Sequence, residues 1–209
     1  MHVLARLAGH GVTVVPHVPF SFERHGGRGG DAVVVTHRPQ GGLPRRLVLI
    51  PAPGGCRLEP AAAAATAEVA ELRPGPAEAR WRIQTSRFGM DWPEGFALQS
   101  SPAPERPPGF DLVAPGGLLL FPQGPFDAGH ADGEALVGPG QRVVARGEAG
   151  GSRFVEVSYL LEHTPWRQRH LVVPLGEARL VVTLQAPEAS ADTPPWVAAI
   201  DAASSVRSV

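Results

Sequence analysis

Hydrophobic and polar positions alternate most regularly between Arg153 and His163. Along RFVEVSYLLEH, Val155, Val157, Tyr159 and Leu161 share one face, and Glu156, Ser158 and Glu162 share the other. A period of two with β-branched and aromatic members predicts a half-buried strand. Thr164-Pro165-Trp166 reads as a turn, because proline has no ladder donor and a fixed φ. Residues 167–174 alternate again, with Gln168 and His170 set against Leu171 and Val173. Leu175-Gly176-Glu177-Ala178 reads as a tight turn, and Arg179 to Gln185 as a third strand. Connections this short can join only antiparallel neighbours, so the local expectation is a three-strand meander.

The period then changes. Thr193 is a good helix N-cap and Pro194 suits the first helical position, where a missing N–H costs nothing. Trp196, Ala199, Ile200, Ala203 and Val206 follow at helical spacing, with Asp201, Ser204, Ser205 and Arg207 outside the stripe. A stripe led by tryptophan needs a surface to cover, and the preceding sheet is the nearest one.

Upstream, short apolar runs at 12–22, 32–36 and 47–50 predict strands punctuated by proline. The Gly-rich segment 24–31 is followed by a strand pattern, not a helix, so it reads as a hairpin loop and not as a phosphate cradle. Residues 59–72, with their alanine run, predict a helix ended by Arg73-Pro74-Gly75-Pro76. Residues 112–121 read as two strands around Pro115-Gly116-Gly117, and residues 122–140 as a loop. Gln141 to Arg146 reads as a strand leading into the meander. The expected architecture is α+β: an antiparallel β-sheet with packed helices, an αβ sandwich, preceded by a β-rich N-terminal extension. Residues 1–76 form the expected N-terminal lobe, ending in a helix, and residues 77–209 the second domain.

Composition narrows the function more than the fold. The chain has 209 residues and a net charge of −1, which argues against nucleic acid or an anionic membrane as partner. All nineteen basic residues are arginine, and alanine, glycine and proline are abundant, a bias typical of GC-rich bacterial genomes. The lone Cys56 forbids an intramolecular disulfide. The N-terminal apolar stretch is interrupted by Arg6 and two histidines, unlike a secretory leader, and no run matches the roughly 18 apolar residues of a membrane span. A soluble cytoplasmic protein is the expectation.

Three features from Arg82 onward carry a family resemblance: the segment Phe88-Gly89-Met90-Asp91-Trp92-Pro93-Glu94-Gly95-Phe96, the late meander, and the ending Leu180 to Pro187 followed by a helix containing Trp196. Together they resemble the PsbP/DcrB-like superfamily of αβ sandwiches. Members of that superfamily are mostly not enzymes, so the resemblance implies a non-catalytic role. Members include bacterial lipoproteins, a photosystem accessory subunit, a Ran-binding protein and chaperone-adaptors that shield hydrophobic segments of secreted effectors. This chain departs from the lipoprotein members in lacking a leader and a lipobox cysteine, which favours an intracellular binding role.

Few residues invite chemistry. Asp127, His130, Asp132 and Glu134 cluster, but at spacings that fit neither a calcium loop nor a zinc motif. Glu162 and His163 are adjacent on a strand and would point to opposite faces. His163 and His170 flank the Trp166 turn and could be cross-strand neighbours. Aromatic residues at a rim build binding hot spots. The candidate binding residues are therefore Trp92, Tyr159, Trp166, His163 and His170. No catalytic residue, metal or cofactor is expected, and the expected partner is another protein. A small hydrolase using His163 and His170 or the 127–134 loop, and a structural subunit, are the alternatives.

Overall fold

A computed structural model of the chain describes residues 4–8, 12–16, 20–25, 32–37, 45–52, 55–60, 67–71, 80–100, 110–127 and 133–209. In chain order the strands are β1 (Leu4–Ala8), β2 (Val12–Pro16), β3 (Phe20–His25), β4 (Ala32–His37), β5 (Arg45–Ala52), β6 (Gly55–Pro60), β7 (Ala67–Glu71), β8 (Arg80–Gln84), β9 (Phe88–Asp91), β10 (Ala97–Ser100), β11 (Phe110–Ala114), β12 (Leu118–Asp127), β13 (Arg142–Ala149), β14 (Ser152–Leu161), β15 (Thr164–Leu175) and β16 (Ala178–Pro187). Helix α1 (Pro194–Ser204) and a short β17 (Arg207–Ser208) close the chain.

Among the described residues these strands form two antiparallel sheets. The larger runs β13-β14-β15-β16-β12-β11-β10-β3-β4-β5-β6, and the smaller runs β17-β9-β8-β1-β2-β7. The expected meander is present as β14, β15 and β16, with Phe154 opposite Leu171 and Leu171 opposite Val182. The turns at Pro115–Gly117 and Gly176–Glu177 are present; β3 and β4 pair antiparallel, with His25 opposite Ala32, while residues 26–31 of the Gly-rich segment lie outside the described residues.

The core lies between the two sheets and under α1. Leu112, Leu120, Leu171, Val182 and Leu184 of the larger sheet bury with Trp81, Ile83 and Met90 of the smaller one. Phe88 of β9 meets Phe110 of β11 with ring centroids 6.4 Å apart, and Trp81 meets Trp92 edge-on at 6.3 Å. Helix α1 begins as its sequence predicts, after Thr193 and with proline at its start. Its Trp196, Ala199, Ala202 and Ala203 are buried. It packs on β16, β12 and β15 and also on β9, so it ties one sheet to the other.

Three expectations, on the number of helices, the 59–72 segment and the 122–140 loop, require correction. Among the described residues α1 is the only α-helix, so the sandwich is sheet on sheet with one helix, not a sheet with several packed helices. The helix expected over 59–72 is replaced by strand at its described residues: Glu59 and Pro60 end β6, and Ala67–Glu71 is strand β7, with Val69 opposite Val14 of β2, while 61–66 and 72 lie outside the described residues. Helix propensity, even alanine's, is a small term per residue, and at Ala67–Glu71 pairing with a neighbouring strand overrides it. The pairings β1 with β8 and β3 with β10 run across residue 76, so strands of the N-terminal part and of the rest share both sheets. The expected loop at 122–140 instead begins as strand, because β12 continues to Asp127 through a register shift between Gln123 and Phe126. Pro125 sits in that shift, where the ladder is already interrupted.

Trp196 is the largest side chain by which α1 closes the core, and it is 1% exposed. Trp196→Ala is expected to cost about 3–5 kcal/mol in denaturant unfolding. Val197→Ala, at a neighbour that is half exposed, is expected to change stability by no more than ~0.5 kcal/mol.

Candidate binding surface

Successive residues of a strand point to opposite sides, so the register sorts the meander into two faces. The face toward α1 carries Phe154, Glu156, Ser158 and Leu160 of β14 opposite Leu171, Arg169, Arg167 and Pro165 of β15. The other face carries Val155, Val157 and Tyr159 opposite His170, Gln168 and Trp166.

On the α1 face the alternation hides a charge. Glu156 is expected to be outward and solvated, yet only 5% of its side chain is exposed. It bridges Arg169 and, at 3.4 Å, Arg167. Arg169 also lies 4.5 Å from the centre of the Phe154 ring. Arg167 reaches further, pairing with Glu188 and, at 3.0 Å, with Asp192. The bond to Glu188, with the charges of Glu156 and Asp192, holds Arg167 still more firmly in its charged form, although burial opposes this. The network anchors the 3₁₀ turn Glu188–Ser190 to the sheet just before α1. Ser190 in turn donates to the Gly116 carbonyl of the β11–β12 turn at 3.0 Å.

The opposite face holds two polar rows. In one, Gln141 donates to Gln168 at 2.9 Å, Gln168 to Gln185 at 3.4 Å, and the Gln141 carbonyl oxygen accepts from the Gly138 N–H at 2.7 Å. In the other, the Thr183 hydroxyl donates to Gln123 at 3.3 Å and lies 2.9 Å from His170 Nδ1. A hydroxyl has one proton, so Thr183 accepts from His170 Nδ1–H, and Nε2 carries the lone pair. Among the described residues Nε2 is buried without a partner. Burial lowers the His170 pKa from 6.5 to about 4, so the imidazole is neutral at pH 7. Val155, Val157, Val181 and Thr183 around it are buried, and the 3₁₀ turn Gly133–Leu136 packs over β14 and β15 here. Thr183 is 0% exposed, so this His–Thr pair is a packed structural contact with no approach for a substrate.

The surface opens at the hairpin tip. The reversal is at Glu162 and His163, with φ of 49° and 67°, and not at Thr164-Pro165-Trp166 as the proline suggested. Two consecutive residues with positive φ are what a tight hairpin requires. Pro165 is tolerated in β15 because it pairs with Leu160 beyond the last β15–β16 pair, Trp166 with Pro187. Leu160 is 71% and Leu161 48% exposed, one on each face of the tip. Tyr159 and Trp166 pair directly beneath them and are half-buried. Burial also raises the Tyr159 pKa.

Of the five candidate residues, the fold gathers Tyr159, Trp166 and His170 on one face. His163 sits in the turn and is exposed, while His170 lies opposite Val155, so the two histidines are not cross-strand neighbours. Trp92 is a core residue, 3% exposed, whose Nε1 donates to the Phe96 carbonyl at 2.9 Å. His130 and Asp132 of the acidic loop, like the Ala-rich segment 61–66, lie outside the described residues. Leu160 and Leu161 escaped the sequence reading because consecutive leucines at a strand end look like ordinary core. Their signal was that they directly precede the turn.

No protein-family model matches the chain, and no curated protein matches it. Among solved structures it is similar to LpqN, described as involved in cell envelope biogenesis of Mycobacterium tuberculosis. The two share 15% identity, with 58% of this chain and 83% of that chain covered and a TM-score of 0.39. No helix of the described residues is long and apolar enough to cross a membrane.

Two outcomes follow from the two faces. Glu156→Ala leaves Arg167 and Arg169 partly buried without their shared carboxylate, and is expected to cost about 3 kcal/mol or more in chemical denaturation. His170 binds a proton more readily in the unfolded chain, near 6.5, than in the folded one, near 4. Its contribution is therefore complete above pH 6.5 and is lost as the pH falls toward 4, a swing of roughly 3 kcal/mol. Unfolding free energies measured across that range should show this slope, and His170→Gln should remove it.

Proposed function

We propose that the chain is a non-catalytic binding protein that holds an apolar segment of another polypeptide at the tip of the β14–β15 hairpin. The observation that carries this reading is the exposure of Leu160 and Leu161, at 71% and 48%, on either side of a two-residue turn. An exposed apolar pair at a turn costs solubility and adds nothing to the core, so it suits a surface that is covered by a partner. Tyr159, Trp166 and Pro165 extend the apolar surface around the pair. Tyrosine and tryptophan are frequent anchors of protein interfaces, because each brings much area with little side-chain freedom to lose.

The surroundings favour binding over catalysis. The base of the hairpin is held by the ion network on one face and the glutamine row on the other, so the tip is presented on a rigid support and little is lost in ordering it. The resemblance of residues 82–209 to the PsbP/DcrB-like superfamily points the same way, since many of its members bind other polypeptides.

Site-specific photo-crosslinking tests the proposal. A photoreactive residue at Leu160 or Leu161 is expected to capture one polypeptide of a single mass in cells, and the same residue at exposed Asp201 on α1 should not. Leu160→Ser with Leu161→Ser should abolish a crosslink made from Trp166 while leaving the unfolding midpoint unchanged. Equal capture from Asp201, or none from the tip, would refute the reading.

A further inference from the structure

The outer face of the smaller sheet carries a second feature, unrelated to the hairpin tip. Arg6 of β1 lies directly opposite Arg82 of β8, and Arg207 of β17 lies opposite Gly89 of β9. Gly89 and Gln84 are themselves paired, so neighbouring strands bring the three arginines to one side of the sheet. They line a cleft of about 340 Å³ together with Ile83, Gln84, Gly89, Ser208 and Val209. Like charges directly opposite one another in a sheet repel. The acidic side chain at hand is Asp91, 3.5 Å from Arg82 Nε and 3.9 Å from Arg207 Nη2. Arg6 is exposed and takes part in neither pair. Among the described residues at the cleft, three arginines stand against the one side-chain carboxylate of Asp91.

We infer that this cleft binds the phosphoryl group of a small phosphate ester. Three guanidinium groups supply more forked donors than the two oxygens of a carboxylate can accept, whereas a phosphate monoester has three terminal oxygens and nearly two negative charges. An anion there relieves the Arg6–Arg82 repulsion that Asp91 alone only partly offsets. Gly89 leaves the floor of the cleft low: a Cβ at this position would lie 3.5 Å from Arg82 Nη2. The cleft volume exceeds that of a phosphate ion and is within the range of small-molecule sites, which leaves room for the organic part of an ester.

Phosphorus NMR of glycerol phosphate, titrated with the full chain at low ionic strength, tests this directly. A saturable change in the phosphorus signal is expected, displaced by inorganic phosphate but not by glycerol. Arg6→Gln and Arg207→Gln should each weaken binding about tenfold or more. Arg153→Gln, whose side chain is 84% exposed on the larger sheet, should leave it unchanged. The unfolding midpoint of Arg6→Gln should stay level or rise, since a repulsion is removed; a purely structural Arg6 would lower it. Because Arg207 lies on a two-residue edge strand, its variant remains informative if Arg6→Gln misfolds. No signal change with the native chain, or equal affinity across all three variants, overturns the inference.

Discussion

Burial of β16 on both sides is the constraint on which the rest of the larger sheet depends. Leu180, Val181, Val182, Thr183 and Leu184 are consecutive and all buried. A strand with one wet face would expose every second residue. Here α1 and the smaller sheet cover one side of β16, while the polar rows and the 3₁₀ turn Gly133–Leu136 lie over the other side of the meander. A polar group drawn under this cover is costly unless it finds a partner inside the protein, and among the described residues most do, His170 Nε2 and Trp196 Nε1 being exceptions. Thr183 finds His170 and Gln123, Gln168 finds Gln141 and Gln185, and Glu156 finds two arginines.

That requirement also shapes what the surface can do. A neutral, buried histidine hydrogen-bonded to a buried threonine has the composition of a catalytic pair but none of the access. The same packing stiffens the hairpin up to Trp166 and leaves the final residues before the turn outside the cover. The proposed binding role rests on this combination of a supported base and an exposed apolar tip. The arginine cleft lies on the other sheet and belongs to a different chemistry, in which uncompensated charge, not apolar area, is the recognition element.

Much of the architecture was legible in local patterns. The meander, its Gly176–Glu177 turn, the β11–β12 hairpin and the proline-led start of α1 each follow from short-range rules of period, turn chemistry and capping. The misreadings share a cause. The alanine-rich segment has a local preference for helix, and pairing with β2 overrode it at Ala67–Glu71. Pro165 suggested a turn, but the reversal fell on Glu162 and His163, which carry no glycine to announce it. Trp92 looked like a rim aromatic until the smaller sheet enclosed it.

The sequence by itself determined the three-strand meander, where helix α1 begins, and that Trp196, Ala199 and Ala203 turn inward, because those properties depend on neighbours within a few residues. Only the tertiary structure decided that strands from both ends of the chain share the two sheets, that Glu156 is enclosed between arginines rather than solvated, and that His170 is buried and neutral. It alone brought Arg6, Arg82 and Arg207 to one cleft. Strand pairing and burial bring together residues more than a hundred positions apart, and no local period records which partners they will meet.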